Sequence, residues 1–274
     1  MAILSCESVE RAIAQIKKEI QGYQLDSKYF EKFTNAPYDQ EVLGYIAGRG
    51  GYYLKFLSLL TQKCGFSNIL ELGNYAGAST LSIYAGMPSG AAFTTVDIVK
   101  DQRYCTDEMF KDQRMRFVIG DALDLSIYGA RAPMNVDFLY EDTFHYYDHV
   151  RDIFEIYENF LADRALVAID DINANDKRKF FDELLYVKWD LTELCHEEGW
   201  GLFLFERKER RSPADRLIEA HKAAMRVWKR RCDRRAEILE KIETRKLKNL
   251  VRSFVHSHKK LHSLILIIKR ALGV

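Results

Sequence analysis

The sequence has little of what marks a disulfide-stapled, zinc-threaded or membrane-spanning chain. It holds only 5 cysteines in 274 residues: Cys6, Cys64, Cys105, Cys195 and Cys232. The number is odd and no C-x-x-C spacing occurs. That argues against a disulfide framework and a cysteine zinc site, and it suits a reducing compartment. No window reaches about 18 apolar residues, so no span of a bilayer is expected. The opening stretch MAILSCESVERA lacks a basic start followed by a long apolar run. No secretory signal is therefore expected, and the expected location is cytoplasmic. Internal repeats and low-complexity tracts are absent. So are two phosphate-binding signatures. G-x-G-x-x-G fails because Tyr75 stands where its second glycine belongs, and G-x-x-x-x-G-K-[ST] has no match.

What is present is a chain with 47% hydrophobic and 30% charged residues, which reads as a soluble globular body with one good-sized core. The net charge of +1 conceals a split. Residues 207–270 hold 21 of the 41 Lys/Arg but only 7 of the 40 Asp/Glu, a surplus of +14 against −13 for the remainder. An acidic body with a basic arm that meets something anionic is implied.

Residues 7–66 read as a helical cap. SVERAIAQIKKEI carries apolar residues at helical spacing, with Ser8 as its cap, and EVLGYIAGRGGYYLKFLSLLTQKCG is a helical stretch interrupted by Gly48, Gly50 and Gly51. From Asn68 the texture alternates. Strands are expected at Asn68–Leu72, Ala92–Asp97, Met115–Ile119, Val136–Glu141, Ala165–Asp170, Trp189–Cys195 and Gly201–Glu206, with helices such as Ser79–Ala85 and Tyr147–Phe160 between them. Short buried strands separated by helices pair in parallel through right-handed crossovers. HEEGW is too short for a crossover, so the last two strands should form an antiparallel hairpin. The expected fold class is α/β: a doubly wound sheet of seven strands with the last antiparallel. Domains are expected at 1–66, 67–208 and 209–274.

The first strand runs into Glu71-Leu72-Gly73-Asn74-Tyr75-Ala76-Gly77-Ala78-Ser79. Glycine permits positive φ and close approach of a ligand to the backbone. The helix that follows offers free N–H groups to a carboxylate or phosphate, at the sheet edge where open α/β folds bind ligands. A second acid, Asp97, ends TTVDIV, and a third, Asp121, follows the third strand in RFVIGDALDL. In order and spacing these three strand ends resemble the cofactor motifs of the class I methyltransferases that use S-adenosylmethionine, over roughly residues 67–208. The resemblance implies a Rossmann-like fold. It also implies that Glu71, Gly73 and Gly77 hold the amino-acid end of the cofactor, Asp97 pairs with the ribose hydroxyls and Asp121 lies near the adenine. Asn74, Tyr75, Ser79 and Ala122 complete the expected cofactor set.

Two more acid clusters end strands: Glu141-Asp142, with His145 beyond, in VDFLYEDTFHYYDHV, and Asp170-Asp171 in ALVAIDDINAND. Carboxylates gathered at one rim repel each other unless a cation joins them, and oxygen ligands favour Mg²⁺ or a similar hard ion. These stretches resemble the metal-dependent O-methyltransferases, both the catechol type and the group acting on sugars of macrolides and glycans. The resemblance implies that Asp142, Asp170 and Asp171 bind the ion and that His145, with Asp142 beside it, is the catalytic base. Histidine at that position is common in the sugar-modifying group, lysine in the catechol type. Glu141 stands at a usually apolar position and competes with Asp142 as ligand. Metal-free O- or N-methyl transfer, or a non-catalytic scaffold with a decayed pocket, are the alternatives. His145 as a packed histidine, and Asp170 or Asp171 as a helix cap, are the plainer readings. His149 and His196 read as surface or packing residues, and Tyr52, Tyr53, Tyr146 and Tyr147 as core.

The tail reads as one long helix opening at Ser212 and Pro213. Leu217, Ala224, Trp228, Cys232, Leu239, Ile242, Leu250 and Phe254 recur at helical spacing. Four readings remain open: a coiled coil joining copies into a homo-oligomer, a membrane-surface anchor through residues 256–274, nucleic-acid binding through RVWKRRCDRR, and a solvated basic face. The acceptor is expected to be a small molecule or glycan, and nucleic acid is the least favoured partner.

Overall fold

The computed structural model describes residues 4–25, 52–100 and 106–246, and the backbone of 247–272. Gly48, Gly50, Gly51 and Cys105 lie outside the described residues. Two compact units divide the chain, Met1–Ala224 and Met225–Val274. The first therefore runs past the boundary at 208 drawn from the sequence.

Helix α1 (Cys6–Glu19) begins at Ser5, not at Ser8. Ser5 Oγ accepts from Ser8 N at 3.1 Å and Ser8 Oγ accepts from Ser5 N at 2.9 Å, a reciprocal box that satisfies two exposed donors. Val9, Ala12, Ile13 and Ile16 fall on one stripe and are buried. Helix α2 (Tyr53–Cys64) ends on Gly65, whose φ of 65° closes its last turn.

The core is a seven-stranded sheet in the order β3-β2-β1-β4-β5-β7-β6. Its strands are β1 (Asn68–Leu72), β2 (Ala92–Asp97), β3 (Met115–Ile119), β4 (Val136–Glu141), β5 (Leu161–Asp170), β6 (Val187–Asp190) and β7 (Trp200–Glu206). β1 to β5 pair in parallel, and β7 runs antiparallel to both β5 and β6. Helices α3 (Ala78–Gly86), α4 (Tyr147–Tyr157) and α5 (Lys177–Glu183) provide crossovers. Central strands such as NILEL and VDFLYE are buried on both faces because helices cover both sides. The chain leaves β1 toward β2 and later returns to β1's other side with β4. The carboxyl ends of β1 and β4 thus flank the point where the winding reverses, the usual place for a ligand crevice.

Four strand boundaries depart from the sequence reading, β6 starting at Val187 and β7 at Trp200 by one or two residues and the other two by more. β5 starts at Leu161, four residues early. The polar ADR stretch that hides this start has Arg164 pairing with Glu206 of β7, in register and through an ion pair at 3.0 Å. The expected strand Trp189–Cys195 stops at Asp190. There Asp190 Oδ1 accepts from Thr192 N at 3.0 Å and Thr192 Oγ1 at 2.6 Å. That turn starts a short helix α6 (Thr192–Cys195), which buries Cys195. The β6–β7 pairing is antiparallel as read, with a connection longer than HEEGW.

Helix α7 (Pro213–Leu272) opens with Asp215 N donating to Ser212 Oγ at 3.1 Å. In the first unit, Arg216 is buried and donates to the Leu161 carbonyl at 2.7 Å. No helix among the described residues is long and apolar enough to cross a membrane.

Candidate active site

The loop between β1 and α3 carries three left-handed residues: Gly73 (φ 90°), Tyr75 (φ 45°) and Gly77 (φ 89°). Gly73 is required by packing as well as by φ. A Cβ there would lie 1.9 Å from the Asp142 carbonyl oxygen, because the loop passes directly over the end of β4. Asp142 N donates to the Leu72 carbonyl at 2.8 Å and Gly73 N to the Val96 carbonyl at 2.9 Å, so the loop is stitched to both neighbouring strands. Asp97 Oδ2 accepts from Asn74 N at 2.8 Å and Tyr75 N at 2.7 Å, while Oδ1 accepts from Val99 N at 3.1 Å. With about four acceptor sites on a carboxylate, Oδ1 keeps one for a ligand. Asp121 Oδ1 accepts from Leu123 N at 2.9 Å and shapes the β3 exit in the same way.

Glu71 behaves differently. It is fully buried, accepting from Ser79 Oγ at 2.6 Å, from Thr95 Oγ1 at 2.6 Å and from Thr80 Oγ1. Asn74 Nδ2 in turn donates to Thr80. Burial lifts the Glu71 carboxyl to about 7 despite these bonds. Glu71 and Ser79 therefore join the loop to the first turn of α3 from inside, and neither side chain lines the cleft.

That cleft, of about 210 Å³, is walled by Gly73, Val96, Asp97, Ile98, Gly120, Asp121, Ala122, Thr143, Phe144 and His149. It collects the carboxyl ends of β1, β2 and β3 and the loop after β4. Of the expected cofactor residues, Gly73, Asp97, Asp121 and Ala122 meet there. Tyr75 is 73% exposed on the loop's outer side. Phe144 and His149 are additions, their rings edge to face at 5.2 Å. His149 is buried and packs on Phe144, as the packing reading expected, and it also forms a wall of the cleft.

The second half of the site gathers Asp142, His145, Asp170, Asp171 and His196. His145 lies half-buried between two acids, Nε2 3.6 Å from Asp142 Oδ1 and Nδ1 3.2 Å from Asp171 Oδ2. His196 Nε2 lies 2.6 Å from Asp170 Oδ1, and its Nδ1 3.8 Å from Asp171 Oδ1. Tyr140 donates to Asp170 Oδ2 at 2.6 Å. Burial and the neighbouring Asp170 charge lift Asp142 to about 7. The Asp142 carboxylate beside His145 raises its pKa above the ordinary 6.5. Burial works against the charge on Asp170, but hydrogen bonds from His196 and Tyr140 outweigh it and hold that carboxyl low. The expected metal set Asp142, Asp170, Asp171 is not one cluster. Ligand atoms converge instead as Asp142/His145/Asp171 and as Asp170/Asp171/His196.

Glu141 is not available as a competing ligand. Its carboxylate pairs with Lys177 Nζ at 2.9 Å, both side chains buried, and accepts from Thr143. Neither Asp170 nor Asp171 caps the next helix, which starts at Lys177 with Asp176 at its cap position. Among the tyrosines read as core, Tyr146 is 55% exposed and Tyr53 packs its ring on His196 at 5.0 Å.

Residues 70–172 match the family model of a methyltransferase domain. Against curated proteins the sequence has no significant match. Among solved structures, the chain is similar to the SAH-bound methyltransferase PaMTH1 of Podospora anserina, at 15% identity over 76% of this chain and 99% of that one, with a TM-score of 0.51. It is also similar to an O-methyltransferase of Bacillus cereus in complex with SAH (17% identity, 74% and 92% covered, TM-score 0.44). A third similarity is to the O-methyltransferase TomG of Streptomyces achromogenes, involved in tomaymycin synthesis and in complex with SAM (17%, 76% and 93%, TM-score 0.44).

Proposed function

We propose that this chain is a class I S-adenosylmethionine-dependent methyltransferase, a reading supported by the match of residues 70–172 to a methyltransferase domain, and that it methylates a hydroxyl oxygen of a sugar, glycan or related small acceptor. In this reading a divalent ion assists and His145 is the base. The observation that carries the reading is a shared wall. The loop leaving β4 lines the glycine-loop cleft with Thr143 and Phe144, while Asp142 and His145 of the same loop face the acid–histidine cluster. A donor on one side and an acceptor on the other would meet across a few residues.

The cleft fits the donor. Asp97 offers a carboxylate to a diol, Val96, Ile98, Ala122 and Phe144 offer apolar walls to a flat ring, and the left-handed glycines let a ligand approach the backbone. Bound S-adenosylmethionine supplies an electrophilic methyl group on sulfur. The cluster fits a divalent ion, because two sets of three oxygen or nitrogen ligands each lie within 4.8 Å of one another. Such an ion supplies Lewis acidity that lowers the pKa of a hydroxyl held beside it. The chain's own part is to hold the acceptor and move its proton. His145 takes that proton at a ring nitrogen, and Asp142 and Asp171 on either side orient the ring and stabilise its charged form. The Glu141–Lys177 pair fixes the β4 and β5 exits relative to each other. Transfer of a labelled methyl group to sugars with vicinal hydroxyls, with and without chelator, tests the reading. Labelling that stops with chelator supports it, and labelling of phenols or amines only would contradict it.

The basic helix is read as the segment through which copies associate, with its last turns at an anionic lipid surface. Met225, Trp228, Ile238, Leu239 and Ile242 are exposed along its described part. Trp228 and Leu239 lie about three helical turns apart and share a face.

A further inference from the structure

The acid cluster contains an imidazole placed with unusual care. β7 pairs antiparallel with β5, so Trp200 stands opposite Asp170. The loop just before β7 is thereby carried to the carboxyl rim. Two backbone bonds fasten that loop to the β5 exit, Ile172 N to the Gly199 carbonyl at 3.2 Å and Asn173 N to the Glu198 carbonyl at 2.8 Å. Gly199, at φ 91°, closes the turn by donating to the His196 carbonyl at 3.0 Å. A Cβ there would press within 2.7 Å of the Asn173 side chain. His196 is consequently fixed and mostly covered, with the Tyr53 ring on one side of it.

Its two nitrogens have different surroundings. Nε2 is 2.6 Å from Asp170 Oδ1, and the other Asp170 oxygen is held by Tyr140. A carboxylate on one ring nitrogen fixes the tautomer with the proton on that side and turns the other nitrogen's lone pair outward. In the neutral ring that nitrogen is Nδ1, which lies 3.8 Å from Asp171 Oδ1. The gap is too long for a hydrogen bond, and the ligand atoms of Asp170, Asp171 and His196 converge within 4.8 Å of one another. An ion held there would have His196 Nδ1 and Asp171 Oδ1 available as ligands, with the Asp170 carboxylate behind the imidazole.

We propose that His196 Nδ1 and Asp171 are ligands of the divalent ion, with Asp170 as the carboxylate that orients His196, so that the site takes a first-row transition ion such as Mn²⁺ or Co²⁺ in preference to Mg²⁺. First-row transition ions take an imidazole nitrogen more readily than Mg²⁺ does, and all-oxygen sites are shared by Mg²⁺ and Mn²⁺. This departs from the three-aspartate set implied by resemblance: Asp170 moves outward and a histidine from the β7 loop replaces it. The inference rests on the reading of the cluster as a metal site.

The test uses the full chain stripped of metal and loaded with Mn²⁺, Co²⁺ or Mg²⁺ in separate calorimetric titrations. The native protein is expected to bind Mn²⁺ and Co²⁺ at least about 10-fold more tightly than Mg²⁺. His196→Ala is expected to weaken Mn²⁺ and Co²⁺ binding by about 10- to 100-fold and to leave Mg²⁺ nearly unchanged. Electron spin-echo modulation of bound Mn²⁺ gives a second readout, which for the native protein needs no variant to fold. Imidazole nitrogen coupling should be present there, lost in His196→Ala and kept in His145→Ala. Coupling absent from the native protein, or surviving in His196→Ala, overturns the assignment of His196 while leaving a metal site intact. No binding of any of the three ions, with methyl transfer indifferent to chelator, overturns the metal reading itself and this inference with it.

Discussion

At the scale of single residues, chemistry is assigned to His145 and architecture to Glu71. His145→Ala is expected to slow methyl transfer by about 10²- to 10⁴-fold while S-adenosylmethionine binds as before, which initial rates and calorimetry on one preparation will show. A loss of binding as large as the loss of rate would make His145 a packing residue. Glu71 gives a pH prediction. Its folded-state pKa of about 7 lies above the ordinary 4.5. Below pH 4.5 both folded and unfolded states carry the proton, and between 4.5 and 7 only the folded state keeps it. Stability contributed by this group therefore falls as pH rises through that window, by about 3 kcal/mol at most. Urea unfolding of Glu71→Gln should gain on the native protein by up to that amount between pH 4.5 and 7, and a constant difference would refute the burial argument. Gly73, Asp97 and Asp121 could be placed at one rim from the sequence because strand ends of a parallel sheet share it, whereas Ala122 was expected only from the methyltransferase resemblance. The place of His149 on the cleft was not legible, because nothing in YYDHV distinguishes a residue facing a cleft from one facing the core.

At the scale of elements, the parallel pairing followed from the alternation of short apolar runs with helices and the antiparallel last strand from the short link before it, while the strand order came from the structure. The end of β6 did not, because the Asp190–Thr192 turn that stops the strand is a polar contact inside an otherwise strand-like run. The same error hid His196: once β7 is laid antiparallel on β5, the residues before Trp200 must arrive beside Asp170. Lys177 was hidden too, since its partner Glu141 belongs to a different strand exit. Removing one member of this buried pair leaves an uncompensated charge. Lys177→Met is expected to destabilise the protein by about 3 to 5 kcal/mol, with Glu141→Leu added to it recovering most of the loss. Denaturant unfolding of the two variants measures this. Equal stability of Lys177→Met and the native protein would show that the pair does not hold the β4 and β5 exits together.

At the scale of the whole molecule, the charge split of the sequence is matched by a basic helix whose described side chains are exposed from Arg234 to Lys246. Co-sedimentation with phosphatidylserine vesicles is expected for the full chain and is expected to weaken as salt rises. Removal of residues 256–274 should abolish it, and equal binding with and without them would remove the anchor from the account. All of the chemistry depends on what the glycine-loop cleft holds. The most direct measurement is a calorimetric titration of S-adenosylmethionine into the full chain, with a nicotinamide dinucleotide titrated in parallel. The account predicts saturable heat at one site for the sulfonium compound and none for the dinucleotide. Heat from the dinucleotide alone, or from neither, would contradict it.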